Sequence, residues 1–343
     1  MSSYPISKKY LIYSVQESKP AAPKSSIDLN SNKYFAYCAL GGIIACGPTH
    51  ALMTPLDLVK CRLQVKPTLY KGIFDGWKTI IRSEGFGGVM VGFGPTAIGY
   101  SLQGVGKYGL YEYFKFKYGE IVGESNAHKY RAFLYLTASA SAELFADILL
   151  CPWEALKVRQ QTSYPPFARG TKEGFQKLKS LEGFSGFYKG IVPLWGRQIP
   201  YTMMKFASFE GTVELIYKNF LTKPKNEYSK LQQLGVSFAG GYIAGVLCGL
   251  VSHPADVIVS KLNNLPKAEA GKSQHGLIDI AKDLGIKGVW RGLGPRIIMI
   301  GTLTGLQWLS YDTFKVYVGL PTTGSTEQAV LLPKEHELIK NQK

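Results

Sequence analysis

The chain has 343 residues, of which 45% are hydrophobic and only 19% charged, with 38 glycines and a formal net charge of +16. That much apolar and aromatic content excludes a disordered chain, and the glycines lack the three-residue period of collagen. Five cysteines without a CxxC pair give neither a disulfide framework nor a zinc site, while the positive charge suits either nucleic acid or a membrane.

In chain order, the first thirty residues carry Lys8, Lys9, Lys19 and Lys24 but no arginine and no long apolar run, which reads neither as a secretory signal nor as a transit peptide. A helix needs about 20 residues to cross a bilayer. Uncharged runs of that order follow at Tyr34–Leu56, Gly85–Gly106 and Leu231–Ala255, with a shorter one at Ile297–Tyr311. Two more candidates, Ala132–Trp153 and Gly190–Glu210, are interrupted by Glu143, Asp147, Arg197 and Lys205. Charges at membrane depth are costly and point to a polar lumen. Gly241-x-x-x-Gly245-x-x-x-Gly249 has the spacing that lets helices approach closely in lipid. Past Pro321 the tail is polar and predicted to be loose.

The candidate spans fall into three repeats of about one hundred residues. Pro55-Leu-Asp57-Leu-Val-Lys60 recurs as Pro152-Trp-Glu154-Ala-Leu-Lys157 and as Pro254-Ala-Asp256-Val-Ile-Val259. A second block runs from Glu84-Gly85 to Gly92, from Glu182-Gly183 to Gly190, and from Leu284-Gly285 to Gly292. A third reads Tyr111-Glu112-x-x-Lys115, Phe209-Glu210-x-x-Val213 and Tyr311-Asp312-x-x-Lys315. Matched register across three blocks predicts an all-α membrane protein: six transmembrane helices in three tandem two-helix repeats with pseudo-threefold symmetry. The predicted divisions are an extension over 1–33, repeats over 34–130, 131–228 and 229–320, and a tail over 321–343.

The threefold P-x-[DE]-x-x-[KR] motif, with [DE]-G…[YWF]-[KR]-G downstream, resembles the mitochondrial carrier family from about Tyr34 to Leu320. The downstream motif is complete only in repeat two, where Glu182-Gly183 leads to Tyr188-Lys189-Gly190. The prolines are predicted to kink the first helix of each repeat. The resemblance implies a matrix gate of Asp57, Lys60, Glu154, Lys157 and Asp256, paired as Asp57–Lys157 and Asp256–Lys60, with Glu154 facing Val259 and lacking a partner. It implies a cytoplasmic gate of Glu112, Lys115, Glu210, Asp312 and Lys315, paired as Glu210–Lys315 and Asp312–Lys115, with Glu112 facing Val213.

Positions seven, eleven and fifteen after Gly92, Gly190 and Gly292 share one helix face. They are Gly99, Gln103 and Lys107, then Arg197, Tyr201 and Lys205, then Met299, Leu303 and Gln307. That face carries three cations and no acid, which suits an anion; arginine offers a planar donor fork and lysine a compact charge. His50 lies two turns before Asp57, and Glu143, Asp147 and Glu154 share a face, whereas repeat three has Gly249 where His50 and Asp147 stand. Titratable groups that break the symmetry of a pore suggest a proton route through His50, Glu143 and Asp147.

Arg197-Gln198-Ile199-Pro200-Tyr201, Ser252-His253-Pro254-Ala255-Asp256 and Gly301-Thr302-Leu303-Thr304 further resemble the phosphate carrier branch. The branch implies transport of inorganic phosphate with a proton, or against hydroxide, by alternating access in the mitochondrial inner membrane. The substrate set is then Arg197, Gln198, Lys107, Lys205, Gln103 and Tyr201, with no metal, no catalytic residue, and no cofactor beyond the bound cardiolipin the resemblance implies. The alternatives are a copper or other small-anion carrier of the same family, and a non-transporting membrane scaffold; an enzyme is not expected. Cys38 and Cys46 stand about 12 Å apart along a helix, too far to share a copper ion directly. The chain is expected to work as a monomer on membrane lipid, phosphate and protons. Lys60–Met90, Lys157–Lys189 and Lys261–Arg291 hold nineteen basic against seven acidic residues, twelve of the sixteen net charges on one side of the bundle. Such a bias marks topology by the positive-inside rule, so no nucleic-acid partner is expected.

Overall fold

The structure is a computed structural model, and it describes residues 27–28, 31–66, 68–163, 167–168, 170–221, 225–264, 282, 284–286, 288–290 and 293–323. Ser31 opens the first helix by accepting a hydrogen bond from the Tyr34 amide at 3.2 Å. That helix, α1 (Asn32–Leu52), stops at Met53, and α2 (Thr54–Val65) continues the span. Pro55 sits in the first turn of α2, where its missing N–H costs nothing, so the first span is broken rather than merely kinked. Pro152 and Pro254, by contrast, lie inside unbroken helices.

The second span is α4 (Phe93–Gly104), a π-helical turn (Val105–Leu110) and α5 (Tyr111–Val122) in one run, reached through α3 (Ile73–Glu84). After the short α6 (Glu124–Lys129) come α7 (Arg131–Thr162), the loop helices α8 (Thr171–Glu182) and α9 (Ser185–Tyr188), and α10 (Ile191–Asn219). The last pair is α11 (Lys230–Asn264) and α12 (Leu293–Tyr317), and no strand occurs among the described residues. Each span packs on the next, and α12 returns to α1, so the six close a ring.

The ring is apolar outside and polar inside. Leu40, Ile44, Leu144, Ile148, Leu149, Ile243 and Leu247 are exposed on its outer face, while Gln103, Lys107, Glu143, Asp147, Lys205 and Gln307 are buried. Water-soluble proteins show the reverse. Asn32–Leu52, Arg131–Thr162 and Lys230–Pro254 are long and apolar enough to cross a membrane. These are the first helices of the repeats. The second helices carry the lumen cations and additional prolines, which dilutes their apolarity although they stand in the same ring.

Small residues set the closest approaches. Gly241 and Gly245 face Gly305 and Gly301 of α12, while the position of Gly249 is roomier. The downstream acids tie each hairpin at the basic-loop end: Glu84 accepts two hydrogen bonds from Arg62, at 2.7 and 3.1 Å, and Glu182 accepts from Arg159. Lys189 also donates to Glu182 and holds that carboxyl below its ordinary range.

Candidate functional site

The inner faces of α4, α7, α10 and α12 meet at mid-depth. The π-helical turn carries Lys107 and Tyr108 there, and π-turns recur where a helix re-aims a functional side chain. Lys107 Nζ lies 3.1 Å from Glu143 Oε1 of α7. Gln103, one turn earlier, donates from Nε2 to Glu143 Oε1 at 2.8 Å and to Asp147 Oδ1 at 3.1 Å. Glu143 Oε2 and Asp147 Oδ2 are buried with no hydrogen-bond partner among the described residues. Burying a carboxylate oxygen without a donor is costly, so these atoms mark a place for a proton or a donor from outside the chain.

On the other side of the lumen, Lys205 donates to Gln307 Oε1 and, at 3.5 Å, to the Tyr108 hydroxyl. Gln307 Nε2 stands 3.2 Å from His50 Nδ1, which is also 2.9 Å from the Cys46 carbonyl. The His50 ring stacks on Tyr100 at 3.8 Å between centroids. Tyr201 is half-buried, its hydroxyl 3.5 Å from Thr304 Oγ1. Lys107 and Lys205 are 4% and 1% exposed, so neither side chain reaches out to a membrane interface.

Toward the basic loops the lumen keeps contact with solvent. Arg197 is 45% exposed and Asp57 29%, whereas Glu112, Glu210, Asp312 and Lys315 at the opposite end are buried. Lys157 bridges Asp57 at 3.1 Å, as the motif pairing predicts. Glu154 departs from its predicted isolation: Lys157 lies 3.7 Å away and Arg197 3.6 Å away. Adjacent turns of α7 and α10 supply both cations, so a neighbour in repeat three is not needed. Gln198, beside Arg197, is half-buried, and Lys60 is exposed. The Asp256–Lys60 bridge and the side chain of Val259 lie outside the described residues.

At the far end two predicted bridges are replaced. Lys115 lies 2.9 Å from Glu112 and 3.5 Å from Glu210, so it meets Glu210 instead of Asp312, and Glu112 has a partner. Asp312 instead accepts from Ser237, from the Thr323 amide at 2.9 Å and from the Thr323 hydroxyl at 2.7 Å. Lys315 donates to that same hydroxyl at 3.2 Å rather than to Glu210. The reason is the tail. Pro321, Thr322 and Thr323, predicted to be loose, fold back onto the bundle end, and Lys225 donates to the Thr322 and Thr323 carbonyls at 2.8 and 3.1 Å.

Beneath this end lies an aromatic layer, half of it the residues that head the third repeated block and half from positions outside all three blocks. Tyr108, Phe206 and Trp308 occupy position sixteen after Gly92, Gly190 and Gly292, and Tyr111, Phe209 and Tyr311 lie one turn further. All six are at most 1% exposed, and the Phe209 and Trp308 rings stack at 3.5 Å between centroids. The signal was present as an aromatic column directly after the predicted cation column. Cys38, Cys46, Cys151 and Cys248 are buried thiols, and among the described residues no three His, Cys, Asp or Glu side chains converge as a metal site.

Residues 31–121, 128–220 and 231–320 each match the family described as mitochondrial carrier protein. The probable mitochondrial phosphate carrier protein of Schizosaccharomyces pombe is 58% identical over 306 residues, 89% of this chain and 98% of that relative. Mitochondrial phosphate carrier protein 3 of Arabidopsis thaliana is 53% identical over 94% of this chain and 83% of its own length. Solute carrier family 25 member 3 of Homo sapiens is likewise 53% identical, over 90% of this chain and 83% of its own.

Proposed function

This chain belongs to the mitochondrial carrier family, in its phosphate carrier branch, and we propose that it carries inorganic phosphate across the mitochondrial inner membrane into the matrix, coupled to proton symport or hydroxide exchange, by alternating access. The names of its relatives supply the substrate. The observation that supports the coupling is the charge set at mid-depth: Lys107 and Lys205 against Glu143 and Asp147, all buried. With both carboxyls ionised the set is neutral. A singly charged phosphate arriving alone would leave one uncompensated negative charge in a low-dielectric site, a state costing several kcal/mol. A proton taken up by Glu143, Asp147 or His50 restores neutrality, so anion and proton enter together. Arg197 at the mouth, paired there with Glu154, receives the anion, Lys205 and Lys107 hold it further in, and Gln103 and Tyr201 line the path.

The test is uptake of labelled phosphate by liposomes holding the full-length protein, with and without an alkaline interior. Uptake that rises with the gradient is the expected result. Uptake indifferent to the gradient would remove the proton roles, and no uptake at all would favour a scaffold.

A further inference from the structure

His50 Nδ1 has two polar neighbours and the capacity to serve one. The Cys46 carbonyl at 2.9 Å can only accept a hydrogen bond. The Gln307 amide nitrogen at 3.2 Å can only donate one. Gln307 cannot resolve this by turning its amide over, because its oxygen faces the Lys205 ammonium, which has donors and no acceptor. A neutral His50 with its proton on Nε2 accepts from Gln307 and leaves Cys46 aside. A ring carrying a proton on Nδ1 donates to Cys46 and meets the Gln307 N–H donor to donor.

We propose that Gln307 is a positioning residue that links protonation of His50 to release of Lys205 for the anion. When a proton from the aqueous side reaches Nδ1, the imidazolium turns its N–H to the Cys46 carbonyl, the Gln307 amide is displaced, and Lys205 is left with donors to offer. Loss of that proton lets Gln307 return and retake Lys205. This rests on the reading of the chain as a proton-coupled phosphate carrier, and supplies the contact by which one ion senses the other. Three of the charged groups around His50 are cations, which oppose an imidazolium until an anion stands beside them and so tie its protonation to the arrival of phosphate. Lys107 of the π-helical turn, Lys157 of α7 and Lys205 of α10 face it from the neighbouring spans, Asp57 follows it in α2, and Tyr100 covers its ring. In repeats one and two the position of Gln307 holds Lys107 and Lys205, so repeat three supplies an amide where a third cation would otherwise stand.

The experiment measures phosphate–phosphate exchange in liposomes at equal pH on both sides, from pH 6 to 8, for the wild-type chain, Gln307→Met and Gln307→Glu. Gln307→Met leaves Lys205 unheld, so the KM for phosphate should fall about tenfold at pH 8, the scale of one hydrogen bond to a charged group, and lose the wild-type dependence on pH. Gln307→Glu holds Lys205 whatever the state of His50, so KM should rise about tenfold and also lose that dependence. Opposite shifts in KM support the proposal. Shifts in the same direction, or a wild-type pH slope in either variant, overturn it. Should Gln307→Met fail to fold, as a thermal melt would show, the slope of Gln307→Glu decides alone. A wild-type chain that takes up phosphate without regard to a pH gradient would fail the underlying reading instead, before any variant is compared.

Discussion

Gly245 of α11 tests how close the packing against α12 is. A methyl built on its Cα would lie 2.7 Å from the Gly301 Cα and 2.8 Å from the Ile300 carbonyl oxygen, both backbone atoms that no rotamer change can move. Carbon atoms rest at about 3.5–4.0 Å, so Gly245→Ala pushes the helices about 0.8 Å apart at that level. Overpacking of this kind costs about 1–3 kcal/mol, against about 0.5–1 kcal/mol gained by replacing a helical glycine with alanine. The net expectation is a loss of about 1–2 kcal/mol. Gly249 provides the control inside the same motif, because its methyl would meet Ile297 at an ordinary 3.7 Å. Gly249→Ala should therefore be neutral or stabilising. Thermal unfolding of the purified protein, followed by a thiol-reactive dye that detects exposure of the buried Cys38, Cys46, Cys151 and Cys248, reads both variants. Gly245→Ala melting at or above the wild type, or both variants falling equally, would refute a backbone contact at Gly245.

The same melt should show Lys107→Met losing about 3–5 kcal/mol, because it strands Glu143, with Lys107→Met/Glu143→Gln recovering most of the loss. Arg62→Lys should cost about 1–2 kcal/mol by giving up the two-pronged bond to Glu84, and a mutant melting with the wild type would deny that tie any structural part. Thr323→Val takes a bond from both Asp312 and Lys315, so limited proteolysis should remove the tail several-fold faster. Burial lowers the Lys225 ammonium to about 8, well under its ordinary value once the tail that covers it is released. The docked form thus binds fewer protons than the released form above that pH, and tail protection should increase from pH 8 toward 10; decreasing protection would contradict this linkage.

The fold was legible because three blocks repeat in register, and the lumen face because a fixed count from three glycines picks out one side of a helix. Lys107, Lys205 and Gln103 are buried where that count places them. The count does not register the π-helical turn at Val105–Leu110, since no side chain announces a change of backbone pitch. Gate pairing was less legible. Passing each acid to the base of the next repeat assumes that only repeat residues compete for it, and it is correct for Asp57–Lys157, where Glu154 stands farther from the lysine, at 3.7 Å against 3.1 Å. It fails at Glu154, because Arg197 from the predicted substrate face is near enough to compete, and at Asp312 and Lys315, because Thr323 belongs to no repeat.

That intrusion bears on how the far end would open. Repeat three differs from the others at several predicted functional positions: Gln307 for a lysine, Gly249 for His50 or Asp147, Val259 for a base, and Leu284 for an acid. Among the described residues it alone is followed by a segment that occupies its own predicted gate residues, with Asp312 accepting from Thr323 and Lys315 donating to it. An ion pair between neighbouring spans parts when they separate, whereas Asp312, Lys315 and Thr323 all lie on one stretch of chain. Their bonds can survive a movement of α12 away from α10. Two far-end ion pairs join spans among the described residues: Lys115–Glu210 between repeats one and two, and Arg131–Glu214 within repeat two. A barrier to opening there would rest on those pairs, on the stacked Phe209 and Trp308, and on the Lys225 bonds that tie the tail of the third repeat to the end of the second.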